Sequence, residues 1–86
     1  MPRYLIERRF AEKVELDKNG AASITRINDE EGVKWLFSFL SADKMRTYCL
    51  YEAPNMEAIR VAARRNSLPA DVIIEIDSEI RPEMFA

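Results

Sequence analysis

Residues 32–54 read GVKWLFSFLSADKMRTYCLYEAP. Two runs rich in aromatic and β-forming residues, Val33–Ser41 and Arg46–Ala53, flank Asp43-Lys44. Together they predict a β-hairpin. Pairing across a tight Asp43-Lys44 turn puts Trp35, Phe37 and Phe39 on one face with Tyr48, Leu50 and Glu52. The opposite face then carries Leu36, Ser38 and Leu40 beside Thr47, Cys49 and Tyr51. Both faces are largely apolar, so each requires a cover.

Working outward from the hairpin, Arg3–Phe10 alternates. Tyr4, Ile6 and Phe10 point one way, and Leu5, Glu7 and Arg9 the other, as in a strand. Asp17 can cap a helix to about Glu31, with Ala21, Ile24, Ile27 and Asn28 on its inner stripe and Gly32 at the C′ position. After the hairpin, Pro54-Asn55 stops the strand, and Asn55 can cap a second helix reaching Asn66. Its inward stripe is Ile59, Ala62, Ala63 and Asn66. Glu57 in its first turn and Arg64 and Arg65 in its last suit the helix dipole. Val72–Ile80 is the fourth strand, and Arg81–Ala86 is a tail.

The order β-α-β-β-α-β is the ferredoxin-like α+β arrangement: a four-stranded antiparallel sheet in the order 4-1-3-2, with both helices on one face. The 86 residues form a single domain, residues 1–86. A chain this short buries only roughly 60–65% of its unfolded surface. The helices cover one sheet face and leave the other open. Burying roughly 400 Å² more apolar area would supply ~10 kcal/mol of gross driving force. The simplest cover is a second copy of the same sheet. The expectation is a homodimer, closed into a dimeric α/β barrel, with Trp35, Phe37 and Phe39 at the interface. The competing cover is the C-terminal tail.

Composition excludes several functions. Hydrophobic residues make up 48% and charged residues 33%, with a net charge of −2, an ordinary globular composition without the basic balance of a nucleic-acid binder. The aromatic sheet resembles that of RNA-recognition domains, but RTYCLYEA lacks their Gly-aromatic pattern. No apolar run approaches a membrane span, and MPRYLIERRF has no signal-like apolar core, so the expected location is cytoplasmic. With one cysteine and no histidine, an intrachain disulfide and a Ser-His or Cys-His nucleophile are excluded.

Glu7-Arg8, Trp35, Ser38-Phe39, Asp43-Lys44, Tyr48-Cys49, Tyr51, Glu52-Ala53-Pro54, Arg64-Arg65 and Pro69 form a pattern that resembles the bacterial nickel-binding-protein-like family, small ferredoxin-like domains of unassigned function. The resemblance implies the fold, the dimer and nickel as the metal to consider. Family members often carry histidines where Phe37 and Ala62 stand here. Nickel favours imidazole among protein ligands, so its expected route is missing.

The remaining expectation is a pocket at the sheet for a small molecule or ion, lined by Glu7, Ser38, Cys49, Tyr51 and Glu52. Glu7 sits mid-strand among apolar neighbours and needs either an ionic partner or a cavity. Cys49 is a small buried hydrophobe without an adjacent cation. Tyr51 can orient a polar ligand, and Ser38 leaves room between bulky neighbours. Arg60, Arg64 and Arg65 form a basic, solvated helix edge. An alternative is a cofactor-free dimeric enzyme of the monooxygenase or isomerase type, with Glu7 as base and Tyr51 or Trp35 positioning an aromatic substrate.

Overall fold

Seven alternating residues, Arg3–Arg9, form β1, and their inner members Tyr4, Ile6 and Arg8 are all buried. The computed structural model describes all of residues 1–86. The other elements are α1 (Lys18–Glu31), β2 (Lys34–Leu40), β3 (Arg46–Glu52), α2 (Met56–Arg65) and β4 (Val72–Ile76). The sheet is antiparallel in the order β2-β3-β1-β4, the expected ferredoxin-like order.

Both helices begin and end where their capping residues dictate. Asp17 Oδ1 accepts from the Gly20 N–H at 2.7 Å, and Asn55 Oδ1 accepts from the Ala58 N–H at 2.9 Å, each satisfying one orphan donor of a first turn. Gly32 closes α1 at φ +73°, a left-handed conformation that glycine adopts without Cβ strain. Ile59 and Ala62 of α2 then pack into one core with Tyr4, Ile6, Cys49 and Tyr51, and Ala63 is buried as well. Between the helices, Asn66 Nδ2 donates to Asn28 Oδ1 at 3.2 Å and Asn28 Nδ2 donates to Tyr51 Oη at 3.5 Å. The chain of amides ties α2 through α1 to the sheet and keeps buried Asn28 satisfied.

Three expectations are corrected. The hairpin connection spans 41–45, longer than a tight Asp43-Lys44 turn. Asp43 Oδ1 accepts from Ser41 Oγ at 2.7 Å and from the Met45 N–H at 2.9 Å, and Lys44 takes φ +63°. Next, β4 stops at Ile76, short of Ile80. Ile76 pairs with Arg3, the first residue of β1, so the chain beyond it has no strand to bond.

The third correction concerns Trp35. Leu40, Phe39, Ser38 and Phe37 pair with Thr47, Tyr48, Cys49 and Leu50 as simple alternation requires, but a bulge between Trp35 and Phe37 then sets Trp35 opposite Tyr51. One extra residue moves everything before it to the other face. Trp35 therefore lies on the helix-covered face with Ser38, and its Nε1–H donates to Ser38 Oγ at 2.9 Å. Without the bulge, residues three apart on a strand face opposite ways.

The C-terminal tail is a single 3-10 turn, Pro82–Phe85, whose Met84 and Phe85 are exposed, as is Ile80 before it. The outer sheet face keeps Phe37 half exposed and Phe39 at 66% exposure, so the tail does not cover it.

Candidate functional site

The sheet's inner face is only partly roofed by the helices. At the end where β1 runs out and the hairpin turns, residues 10–17 arch across instead. Two backbone bonds hold this arch to the turn: Phe10 N–H to Met45 O at 2.9 Å and Val14 N–H to Lys44 O at 2.8 Å. Beneath it lies a cavity of ≈ 570 Å³. Its sheet wall carries Arg8, Trp35, Ser38, Thr47, Cys49 and Tyr51, and its roof is contributed by the 10–16 segment, with Ile24 and Leu68 beside it.

Alternation selects this wall. Arg8, Thr47, Cys49 and Tyr51 share the inward parity of Tyr4 and Ile6 through the pairs Ile6–Cys49 and Arg8–Thr47. The bulge adds Trp35 to the same side. Cys49 is buried, and its thiol donates to Thr47 Oγ1 at 3.5 Å. Tyr51 is buried too. Burial pushes its phenol above the usual tyrosine range, while the Arg8 charge and the Asn28 hydrogen bond pull the other way. The Arg8 guanidinium carbon stands 5.7 Å from the centroid of the Tyr51 ring, within cation–π reach.

Of the five residues expected to line a pocket, Ser38, Cys49 and Tyr51 border this cavity. Glu7 and Glu52 do not. Glu7 lies on the outer face between Tyr48 and Val72, where its Oε2 accepts from Arg9 Nε at 2.6 Å. An ion pair with a strand neighbour thus answers its need for a partner. Glu52 pairs with Arg3 and Lys34 at the far end of the sheet. Of the three residues expected at an interface, Phe37 and Phe39 lie on the open outer face. Their rings meet edge to face at 5.5 Å.

Sequence reasoning passed over Arg8 and the 10–16 arch. The signal for Arg8 was present, since it falls between Ile6 and Phe10 in the inward alternation of β1. The arch left no signal, because Ala11–Glu15 reads as a polar connection.

No group of three or more Cys, Asp or Glu side chains converges to hold a metal ion. The basic edge of α2 is solvated, as expected. Arg65 reaches across to α1, donating to Glu30 Oε1 at 2.6 Å and Glu31 Oε2 at 2.7 Å. No helix is long and apolar enough to cross a membrane.

Residues 4–76 match the family described as nickel responsive protein SCO4226-like. The chain belongs to the SCO4226-like family. Among solved structures, the crystal structure of SCO4226 from Streptomyces coelicolor A3(2) is similar to this SCO4226-like chain with a TM-score of 0.77. The likeness covers 91% of this chain and 99% of that one at 20% identity. At that identity it speaks for the shared fold. No curated protein matches the chain.

Proposed function

We propose that this SCO4226-like chain is a homodimeric binding protein of the cytoplasm: two copies pair through their outer sheet faces, and each inner cavity takes a small molecule. The cavity carries the reading. Its ≈ 570 Å³ fits the ~300–1,000 Å³ of small-molecule sites, which combine apolar walls with a few placed polar groups. Trp35, Leu40, Phe10 and Leu16 supply the apolar part, while Arg8, Ser38 and Tyr51 supply the polar part.

The pairing rests on the outer face. Only 11 of 86 residues are buried in the single chain, so the monomer's core is small and a second copy adds to it. Phe37, Phe39 and Ile74 are each at least half exposed on one face. Monomers seldom leave such a patch wet, and a two-fold pair covers it with the same patch.

The family description mentions nickel, but this chain's donors do not fit that metal. It has no histidine, and no three carboxylate or thiol groups stand together. Borderline divalent metals call for nitrogen or sulfur ligands gathered at one point. The enzyme alternative loses its assigned base, since Glu7 lies on the opposite face from the cavity, paired with Arg9.

Native mass spectrometry of untagged protein tests the assembly. The expected species has twice the 10.0 kDa chain mass at micromolar concentration, with any retained ligand as added mass. A bare monomer under those conditions refutes the dimer, and stoichiometric nickel refutes the donor argument.

A further inference from the structure

Four polar side chains on the cavity's sheet wall, Arg8, Ser38, Thr47 and Tyr51, share one property: each has a hydrogen left to donate. Arg8 is the clearest case. It is 3% exposed, and its Nη1 donates to the carbonyl oxygen of Pro69 at 2.6 Å. Its Nε and Nη2 make no further hydrogen bond of good geometry, although the guanidinium has a weaker polar contact with Tyr51. No buried side-chain nitrogen of the molecule is both sealed and unpartnered, so these two atoms keep some accessible surface, on a residue that lines the cavity. No carboxylate stands at ion-pair distance from Arg8; all eight ion pairs of the chain involve other arginines. A buried charge without a counterion is costly, and the Tyr51 ring offsets only part of that cost.

The hydroxyl groups point the same way. Ser38 Oγ already accepts from Trp35 Nε1, Tyr51 Oη from Asn28 Nδ2, and Thr47 Oγ1 from Cys49 Sγ. Each oxygen so engaged retains its own O–H to donate. Glu12 and Glu15 line the cavity from the exposed arch, with Lys13 between them, and neither comes within ion-pair distance of Arg8.

We infer that the cavity takes a carboxylate-bearing molecule with an apolar body, the carboxylate on Arg8 Nε and Nη2 and the body against Trp35, Leu16 and Leu40. The inference rests on the cavity being a binding site. Nε and Nη2 lie on one edge of the guanidinium, the pair of parallel donors that matches the two oxygens of a carboxylate. One deep cation against a largely apolar wall suits a single negative charge, where a phosphate dianion requires more.

The test uses matched pairs on the full-length protein: 4-phenylbutyrate against 4-phenylbutyramide, and octanoate against octanamide. Trp35, the only tryptophan, reports occupancy by its fluorescence. Each acid should bind roughly 10- to 100-fold more tightly than its amide, the range of a charge-assisted hydrogen-bond pair. Arg8→Gln should bring the acids down to the amides' affinity and leave the amides unchanged. Equal binding of acid and amide, or an acid preference that survives Arg8→Gln, overturns the inference while leaving the binding site standing. Failure of all four compounds at millimolar concentration removes the binding site itself, and the inference with it. Where Arg8→Gln does not fold, the acid-to-amide ratio of the natural chain decides alone.

Discussion

Ile6 and Leu5 are neighbours in β1, as Ile73 and Ile74 are in β4, yet each pair divides between two different environments. Ile6 is fully buried under the helices and Ile73 packs against that core, whereas Ile74 is half exposed on the other side. The two faces have similar apolar content and differ in what covers them. The inner face is closed by α1 and α2 except where the 10–16 arch leaves a cavity. The outer face has no cover within the chain. The comparison teaches that apolar alternation alone does not mark a core. Here one face holds the core of the chain, and the other leaves its apolar area open.

Four measurements break or sharpen that contrast. The largest effect is expected at the covered face. Ile6→Ala should cost about 2–5 kcal/mol in urea unfolding, as buried aliphatic truncations do, whereas Ile74→Ala should cost far less in the isolated chain. Equal losses would mean that the two faces are equally buried. Second comes Phe39→Glu on the open face. It should weaken self-association roughly 30-fold or more in sedimentation equilibrium, the effect of losing an interface hot spot. An unchanged dimer constant would place the contact elsewhere.

Third is Ser38→Ala, which removes the acceptor of the Trp35 indole. A lost neutral hydrogen bond costs about 1 kcal/mol, and the Trp35 emission should shift with its new surroundings. No shift would argue against Trp35 and Ser38 sharing a face, and so against the bulge.

The smallest effect is electrostatic and belongs to the helix layer. The Arg65 hydrogen bond and charge hold the Glu30 carboxyl below its ordinary value, and Arg65 itself is raised. Because the folded Glu30 value lies below the unfolded one, the stabilisation is complete above the ordinary carboxylate range. It fades as pH falls through the folded value. Arg65→Gln should therefore flatten the acid limb of a Tm-versus-pH curve and leave the Tm difference constant above pH ~6. These groups are exposed, so the change should be slight. A difference that grows toward alkaline pH would contradict the assignment.

Much of this contrast was legible in the residues. The caps Asp17, Asn55 and Gly32 announced both helices, and the pairing of Phe37–Leu40 with Thr47–Leu50 followed from counting back from the turn. The two apolar faces of the hairpin were visible in its residue alternation. The candidate site was legible only in part. Ser38, Cys49 and Tyr51 lie at the cavity, while Glu7 and Glu52 were misplaced there, because a carboxylate in an apolar strand signals a need for a partner without saying which face supplies it. Arg8 was readable from parity, but arginine is seldom buried, so parity alone does not announce it.

The sequence by itself determined the order of elements, the ends of both helices and the inward parity of β1, because caps and alternation act over a few residues. Only the tertiary structure decided the face of Trp35, the presence of the cavity and the isolation of the Arg8 charge. A single inserted residue at the bulge reverses a strand's sides without altering its composition. A cavity or an unpaired charge is defined by which distant groups fail to arrive, here a loop that lies over the cavity in place of a helix and the carboxylates that pair with other arginines.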